Sequence, residues 1–303
     1  MSSTSGPGPA AGWWIVRNPS AGGGREVAAR LRRALLDHRV DAEVVVSQSA
    51  GHVADLVAEG RSRGLARFAA VGGDGTAHLV LNGLMAHPWP QPPTLAIIPA
   101  GSGSDFIRTF ALPRTVEGGV ALLGGGQVYR CDIGKVEGRF GERWFLNAAN
   151  VGVVAAAAAR AGRLPAPLGA LRYGAAFWLS LAGFRPADVV VDLGGRRIEQ
   201  RALAVVVANG QFFGGGLNVA PQASLIDGIL DVEVFAGPRW LAFEVMPRVI
   251  GGHHLRHRAV KRGRASALTI TVPDDWPVEA DGELLGQGPV RITAHPGAID
   301  FVI

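Results

Sequence analysis

Through the first 130 residues, short apolar runs alternate with amphipathic segments. The runs WWIV, EVVV, RFAAV and TLAII have the length and composition of buried strands, and each is followed within two residues by glycine, proline, serine or asparagine. The segment REVAARLRRALLDH carries arginines on one helical face and, on the other, Val27, Leu31, Leu35 and His38. Repetition of strand, loop and helix predicts an α/β domain with a parallel sheet and helices on both faces. Ligands of such sheets bind at the carboxyl ends of the strands.

The pattern changes after about Asp132, where alternating and β-branched runs follow one another at short spacing: DVVVDL, ALAVVVAN, ILDVEVF, ALTITV and VRITA. These runs indicate a mainly antiparallel β domain, with helical patterns only near Leu168–Phe184 and Trp240–Ile250. We therefore predict an α/β domain over residues 12–131 and a β-rich domain over residues 132–297. The last strand, near residues 298–303, could return to the first domain, and residues 1–11 have the composition of a disordered tail. A functional site is expected in the cleft between the domains.

Arginine supplies nearly all of the positive charge of the 303-residue chain, since its only lysines are Lys135 and Lys261. The formal net charge is +5 and the sequence pI is about 10.3. This excess fits an anionic partner, such as a phosphate-bearing ligand, an acidic membrane surface or nucleic acid. An arginine-rich genome composition explains it equally well.

The lone cysteine, Cys131, excludes an intramolecular disulfide, and no cysteine or histidine spacing resembles a zinc site. The start, MSSTSGPGPAAG, lacks the basic and apolar regions of a signal peptide. No apolar stretch reaches the roughly 18 to 20 residues that a membrane-spanning helix needs. We expect a cytoplasmic protein whose contact with a membrane would be peripheral, at the inner face.

A glycine-rich loop, VGGDGT, joins the third apolar run to the segment AHLVLNGL. Gly72, Gly73 and Gly75 let the backbone turn sharply and leave its amides open to a ligand. Thr76 suits the N-cap of the following helix, whose positive end would point to the same spot, so the loop is a candidate phosphate cradle. Asp74 would repel a phosphate unless Mg²⁺ stood between them, which makes it a candidate metal ligand. Alternatively, Gly-Asp-Gly is an ordinary turn.

Two further loops follow strands of the same predicted sheet, precede helices and combine glycines with hydroxyl side chains. RNPSAGGG, residues 17–24, contributes Asn18 and Ser20, and IPAGSGSDF, residues 98–106, contributes Gly101 and Ser102. Three such loops at one sheet edge make nucleotide binding the leading interpretation. The sequence contains no P-loop, and Phe106 stands where a dinucleotide fingerprint has its third glycine.

At these residues the sequence resembles the diacylglycerol kinase catalytic-domain family, which includes bacterial lipid kinases and sphingosine kinases. The resemblance covers nearly the whole chain and rests on five motifs in order: NPSAGGG, GGDGTAHLVLNGL, IPAGSGSDFIRTF, GGGLNVAPQASLIDGILDVEVF and EADGELLG. It implies an ATP- and Mg²⁺-dependent lipid kinase with a nucleotide-binding first domain, a lipid-substrate second domain and an active site in the cleft.

The resemblance also implies roles for particular residues. The loop from Gly72 to Thr76 would bind nucleotide phosphate, and Ser47 and Ser102 match nucleotide-contacting threonines. Asp227 matches a position of a magnesium site that supports the second domain, and Glu283 matches the proposed proton acceptor.

Three positions depart from the family pattern. The usual Gly-Thr-x-Asn-Asp motif is Gly-Ser-Gly-Ser-Asp at residues 101–105, which keeps the hydroxyl and the acid but loses the asparagine amide. Ser47 stands for a threonine and also keeps the hydroxyl. Ile226 stands where family members often have an acid, so the sequence does not decide whether the second magnesium site is retained.

Asp281 and Glu283 lie two residues apart, so on extended backbone both side chains would face one substrate. One could take the proton of an acceptor hydroxyl while the other orients that hydroxyl or binds metal. The family match favours Glu283 as the base, with Asp281 and Asp74 as the other catalytic candidates. The alternative is that Asp281-Gly282 is only a hairpin turn with solvated acids.

The sequence says less about which residues would bind a lipid. Phe212 and Phe213 could line an acyl-chain entrance, although aromatics beside a strand are more often core. The basic stretch His253–Arg264 could dock on anionic headgroups or be a solvated loop, and its histidines lack the partners of a metal site. An exposed strand edge in the β domain could form a homodimer.

Three functions remain in competition. The first is a lipid kinase acting on a lipid alcohol, with diacylglycerol, converted to phosphatidic acid, as the leading acceptor. The second is a soluble kinase of NAD or a sugar phosphate that shares the GGDGT loop; IPAGSGSDF and the LNVAP segment argue against it. The third is a catalytically silent protein that binds membrane or nucleic acid. The retained Asp74, Asp281 and Glu283 argue against a silent protein, and a basic stretch without interleaved aromatics argues against nucleic acid.

Overall fold

A computed structural model of the chain describes residues 12–101, 105–164 and 171–303. The described residues form two compact units. The first consists of residues 12–101, 111–130 and 298–303, and the second of residues 105–110, 131–164 and 171–297.

The strands are, in chain order, β1 Trp13–Arg17, β2 Ala42–Val46, β3 Arg67–Gly72, β4 Thr94–Pro99, β5 Val128–Gly138, β6 Gly141–Phe145, β7 Ala148–Gly152, β8 Ala187–Asp192, β9 Arg197–Ala208, β10 Phe212–Phe213, β11 Leu217–Asn218, β12 Leu230–Ala236, β13 Val260–Ala265, β14 Ala267–Thr271, β15 Pro277–Ala280, β16 Glu283–Gln287 and β17 Val290–Val302. The α-helices are α1 Arg25–Asp37, α2 Ala50–Ser62, α3 Asp74–Met85, α4 Asp105–Thr109, α5 Val116–Gly125, α6 Val153–Ala161, α7 Leu171–Gly183 and α8 Ala242–Ile250.

The first unit is a parallel sheet in the order β2, β1, β3, β4, with the end of β17 added beside β4. Alternate residues of the buried strands face opposite sides, because successive side chains of a strand point in opposite directions. Trp13 packs in a cluster with residues of α1 and α5. Trp14 faces the other way, and its indole nitrogen donates to the carbonyl of Leu56 in α2 (2.9 Å). Helices therefore cover both faces, as the sequence predicted.

Two details of this unit differ from the prediction. The run EVVV is not buried: β2 is the edge strand, and Val44 and Val46 are 38% and 42% exposed. His38 lies just beyond the end of α1 and is exposed, so Ala34 completes the buried helical face instead. Both errors arise because periodicity reports the pattern of a segment and not its place at an edge or an end.

The second unit is mainly antiparallel, with strands in the order β16, β15, β7, β9, β8, β14, β17. Strand β12 pairs with β9 and β13, and β5 pairs with β6. A large apolar cluster drawn from these strands forms its core. Helices α7 and α8 lie where helical patterns were predicted, but α6 was missed because VVAAAAARA is apolar almost throughout and shows no amphipathic stripe.

A cross-strand pair in β5 and β6 tests this packing. A Cβ on Gly134 would lie 2.0 to 2.4 Å from ring atoms of the fully buried Phe145, its neighbour in register. We expect Gly134→Ala to lower the free energy of unfolding by about 2 kcal/mol, because the ring cannot move without disturbing the core. The measurement is urea denaturation followed by circular dichroism.

Gly51→Ala is the matched control. Gly51 lies in α2, and a Cβ there would have nothing within 4 Å. Alanine should leave stability unchanged or raise it by up to about 1 kcal/mol. Equal effects of the two substitutions would contradict the packing described for Phe145.

Candidate active site

The three predicted loops of the first unit follow β1, β3 and β4, which are parallel, so all three lie at the same edge of the sheet. The backbone amide of Asn18 donates to the carbonyl of Val71 (3.1 Å), and the amide of Ala100 donates to the carbonyl of Gly72 (3.1 Å). The side-chain amide of Asn18 lies 3.4 Å from the hydroxyl of Thr76. The loops therefore support one another directly.

Two of the glycines are required by the closeness of these loops. A Cβ on Gly72 would lie 2.2 Å from the Oγ1 of Thr76, and a Cβ on Gly22 would lie 2.4 Å from the carbonyl oxygen of Ala100. Gly22 also has a φ of 55°, in the region that side chains disfavour. A side chain at either position would push the loops apart.

Helix α3 begins at Asp74, with Gly73 as its N-cap, so the prediction that Thr76 caps the helix is wrong. Thr76 lies in the first turn, and its side chain is buried and directed toward Asn18. No side chain caps this end of the helix. Gly75 is exposed, and a Cβ on it would meet nothing within 4 Å. An uncapped helix start beside glycines is a suitable anion site.

Asp74 is half-buried in the first turn of α3. The positive end of a helix favours a carboxylate at this position. A carboxylate beside a helix start can also hold Mg²⁺ against a bound phosphate, so the metal-bridging role of Asp74 stays a prediction.

The other nucleotide candidates differ in their surroundings. Ser47 is buried beside the first loop, with its amide 3.0 Å and its hydroxyl 3.4 Å from the carbonyl oxygen of Arg17. Ser20 is exposed, and its amide donates to the side-chain oxygen of Asn18 (3.0 Å). Gly101 is exposed within the third loop, and Ser102 lies outside the described residues.

Asp281 and Gly282 form the two-residue turn between β15 and β16, with φ values of 49° and 89°. These left-handed values are typical of a type I′ hairpin turn, so the prediction of extended backbone at Asp281 is wrong. Its carboxylate is not simply solvated either. It accepts hydrogen bonds from three consecutive amides, those of Leu146 (2.7 Å), Asn147 (2.9 Å) and Ala148 (3.2 Å). Asp281 thus fixes the hairpin to the segment that precedes β7.

Glu279 also supports this turn, and the sequence reasoning missed it. Its side chain is buried, with one oxygen accepting from the side-chain amide of Asn150 and the other from the backbone amide of Gly282 (2.7 Å). The sequence does contain a signal for it: in the run VEADGE, Glu279 is a third acid that alternates with Asp281 and Glu283. Together, Glu279 and Asp281 hold the turn from which the half-buried Glu283 begins β16.

Asp105, the acid of the Gly-Ser-Gly-Ser-Asp motif, is buried in α4. Its carboxylate accepts the amide of Gly215 (2.8 Å) and lies 3.2 Å from the Nε of Arg108. Burial raises the pKa of Asp105, and these partners oppose the rise. A Cβ on Gly216 would lie 2.9 Å from the Arg108 guanidinium, so the glycine run of the fourth motif wraps this pair.

Asp227 does not fit a metal site as the structure arranges it. One carboxylate oxygen accepts the amide of Ile229 (3.1 Å), and the other lies 2.5 Å from the guanidinium of Arg264. The Nε of Arg264 is also 3.5 Å from the buried Asp231. Among the described residues, no group of three or more His, Cys, Asp or Glu could hold a metal ion. The guanidinium of Arg264 supplies the positive charge that a metal ion would otherwise supply beside Asp227.

The two lipid-side candidates are largely structural. Phe213 packs against the apolar cluster around α8, as the core interpretation predicted. In the basic stretch, His254 is buried against Glu233 with a nitrogen to oxygen distance of 2.9 Å, and Arg264 pairs with Asp227. Much of this stretch therefore has a structural role, in β13 and in the segments that pack beside it.

Comparisons with known proteins bear on the whole chain. Residues 12–136 match the diacylglycerol kinase catalytic domain, and residues 147–303 match the YegS C-terminal NAD kinase beta sandwich-like domain. A diacylglycerol kinase of Mycobacterium tuberculosis is 31% identical over 95% of this chain and 93% of its own length. The chain belongs to the diacylglycerol kinase catalytic-domain family. Membership implies ATP use, typically with Mg²⁺, and a lipid acceptor.

Other members of this family are similar at lower identity. A diacylglycerol kinase of Bacillus subtilis is 27% identical over 91% of this chain and 90% of its own length. A probable lipid kinase YegS-like protein of Cronobacter sakazakii is 28% identical, with 85% and 84% covered. The crystal structure of a diacylglycerol kinase from Bacillus anthracis, 23% identical, superposes with a TM-score of 0.75 over 96% of both chains. The last comparison confirms the two-part fold that the sequence predicted.

The ion pair at Asp227 yields a prediction about metal dependence. We expect the melting temperature of the wild-type protein to be the same in Mg²⁺ and in EDTA, because Arg264 already supplies a counter-charge to Asp227 and, together with Arg262, to Asp231. Arg264→Met should lower the free energy of unfolding by about 1 kcal/mol, since it removes one of the two arginines that supply positive charge to the buried Asp231. Thermal unfolding followed by circular dichroism measures both.

Arg196→Met, in an exposed turn, is the control for loss of a surface arginine. A rise in the wild-type melting temperature with Mg²⁺ that disappears in Asp227→Asn would show that the metal binds there after all.

Proposed function

We propose that this protein transfers the γ-phosphate of ATP to the hydroxyl of a lipid alcohol, with diacylglycerol as acceptor and phosphatidic acid as product. The observation that carries the proposal is the meeting of three glycine-containing loops around the uncapped start of α3, in a chain of the lipid kinase family. The relatives named diacylglycerol kinase support the choice of acceptor. At 31% identity or less, acceptor choice belongs to the proposal and not to the family assignment.

Phosphoryl transfer needs alignment, neutralisation of charge on the transferred group and a base for the acceptor proton. We assign phosphate binding to the loop Gly72–Thr76, apart from the amide of Thr76, which donates to the carbonyl of Gly73 (3.0 Å), with Asn18 holding the adjacent loop in place. Asp74 would hold Mg²⁺, which neutralises phosphate charge when bound. Ser20, Ser47, Gly101 and Ser102 remain assigned to the nucleotide by resemblance.

Glu283 is the proposed base, and the surrounding contacts separate its role from that of Asp281. Since the Asp281 carboxylate accepts three backbone amides, it is committed to holding the chain and is poorly placed to exchange protons. Glu279 and Asp281 then act as positioning residues for Glu283. Asp281 is thus reassigned from proton transfer to support of the turn.

The first test offers the purified protein γ-labelled ATP and Mg²⁺ with diacylglycerol, sphingosine, ceramide and phosphatidylglycerol, each in mixed micelles, and with NAD as the soluble acceptor. We expect label in diacylglycerol. Label in another lipid would replace the acceptor but keep the lipid kinase. Label in NAD alone would overturn the proposal in favour of a soluble kinase that shares the glycine loop.

The second test separates base from support. Glu283→Gln should melt like the wild type and bind ATP normally, yet lose turnover by at least about 100-fold, because an amide cannot accept the proton. Asp281→Asn should instead lower the free energy of unfolding by about 1 to 3 kcal/mol, because asparagine keeps one neutral acceptor oxygen and places a donor NH2 group where the second oxygen accepted a backbone amide. Turnover and thermal unfolding are measured on the same preparations.

Glu199→Gln, on the exposed side of β9, controls for the loss of a carboxylate. Wild-type turnover in Glu283→Gln would remove Glu283 as the base. Unchanged stability in Asp281→Asn would remove the supporting role of Asp281.

A further inference from the structure

Helix α7 exposes a face that carries no charged side chain. Its inner side, which includes Ala176, Ser180 and Leu181, is buried. Its exposed residues are Tyr173, Gly174, Trp178, Leu179, Ala182 and Gly183. The one charged residue of the helix, Arg172, is half-buried and donates to the carbonyl of Ala161 (2.7 Å). A helix at a water-facing surface normally carries polar residues on its outer side, so this face is unusual.

Helix α8 and the turn before it also expose large apolar side chains. The inner side of α8 is buried through Ala242, Val245 and Val249. On the outer side, Trp240, Phe243 and Ile250 are 53%, 68% and 64% exposed. Few large apolar side chains of the described residues are as open to solvent as Phe243.

The two helices form one continuous surface. The ring of Trp178 stacks on that of Phe243, with centroids 4.6 Å apart and planes 22° from parallel. The guanidinium of Arg239 donates to the carbonyl of Ala182, which joins the start of α8 to the end of α7. We call this surface the aromatic face, and it consists of Trp178, Leu179, Trp240, Phe243 and Ile250.

The charges beside the aromatic face are mainly positive. Arg185, Arg239 and Arg248 are exposed at or next to the ends of the two helices. The one carboxylate in α7 and α8, that of Glu244, lies 3.2 Å from the Nε2 of His257. Exposed tryptophan, phenylalanine and leucine with flanking arginines are the composition of segments that enter the headgroup region of anionic bilayers. A symmetric contact with a second copy would instead bring these arginines against one another.

We propose that the aromatic face docks this protein on the surface of an anionic phospholipid bilayer. The inference rests on the proposed function, because a diacylglycerol acceptor stays in the bilayer and the enzyme must come to it. Tryptophan and phenylalanine side chains enter the interface, and the arginines lie at the level of the lipid phosphates. Among the described residues, no helix is long and apolar enough to cross the bilayer. This surface replaces the basic stretch His253–Arg264 as the proposed membrane contact.

Vesicle binding without ATP tests the docking independently of catalysis. The full chain is sedimented with sucrose-loaded vesicles of phosphatidylglycerol and phosphatidylcholine, and in parallel with vesicles of phosphatidylcholine alone. We expect binding to the anionic vesicles, and a loss of at least about 10-fold in the partition coefficient for the double variant Trp240→Ser and Phe243→Ser. Leu36→Ser is the matched control, because Leu36 is 73% exposed on α1 and lies in the other unit. It should bind like the wild type.

A second readout links docking to turnover. With a short-chain diacylglycerol dissolved as monomers, the double variant should phosphorylate at the wild-type rate, whereas on long-chain diacylglycerol in anionic vesicles it should be about 10-fold slower. If no lipid is phosphorylated while vesicle binding depends on the aromatic face, the proposed function fails and the docking stands.

Two results would overturn the docking. One is equal partition of the wild type and the double variant into anionic vesicles. The other is a wild-type protein that ignores vesicles and sediments as a dimer while the double variant sediments as a monomer, which would assign the aromatic face to contact between copies. Sedimentation velocity at several protein concentrations distinguishes the second case.

Discussion

The close approach of Gly72 to Thr76 sets the geometry on which the first unit depends. With 2.2 Å between a hypothetical Cβ and the threonine hydroxyl, strand β3 can turn into α3 only through a residue without a side chain. The absence of a side chain at Gly22 likewise lets the loop after β1 pack against the loop after β4, where Gly22 faces the carbonyl of Ala100. Because the strands are parallel and in register, these backbones converge at one sheet edge. The proposed phosphate site is thus a product of backbone packing more than of individual side chains.

The second unit holds its loops by a different means, the pairing of carboxylates with backbone amides. Asp281 accepts three amides of the segment before β7, and the buried Asp132 accepts those of Gly228 (2.6 Å) and Gly297 (2.8 Å). Asp105 does the same for Gly215. Such bonds are stronger than those between neutral groups, and they join segments that are distant in sequence. The acids of the second unit are therefore not interchangeable: some hold the chain, whereas Glu283 is the proposed base.

The sequence was sufficient to predict the parts of the fold that depend on hydrophobic periodicity and on turn residues. Parallel strands, antiparallel strands, α7, α8 and the glycine loops were all predicted. Helix α6 was not, because its alanines give no amphipathic stripe, and the exposure of β2 was not, because nothing in EVVV marks an edge. The start of α3 was misplaced because glycine and aspartate both suit a turn and a first helical turn. The amides that Asp281 accepts, and the Asn150 side chain that donates to Glu279, lie more than 100 residues away, so no local pattern could reveal them.

The final strand gives the chain a particular order of assembly. Residues 298–303 belong to the first unit, where Phe301 pairs beside Leu95 and Ile303 exchanges backbone hydrogen bonds with Gln127 (2.9 Å each). During synthesis at about 5 to 20 residues per second, the sheet of the first unit waits on the order of ten seconds for its last strand, while residues 131–297 emerge. Until then the open side of β4 presents unpaired backbone groups to the nascent chain and its surroundings. Closure of the sheet of the first unit is thereby tied to completion of the second unit, so a ribosome-bound fragment ending before residue 298 would lack this strand pairing.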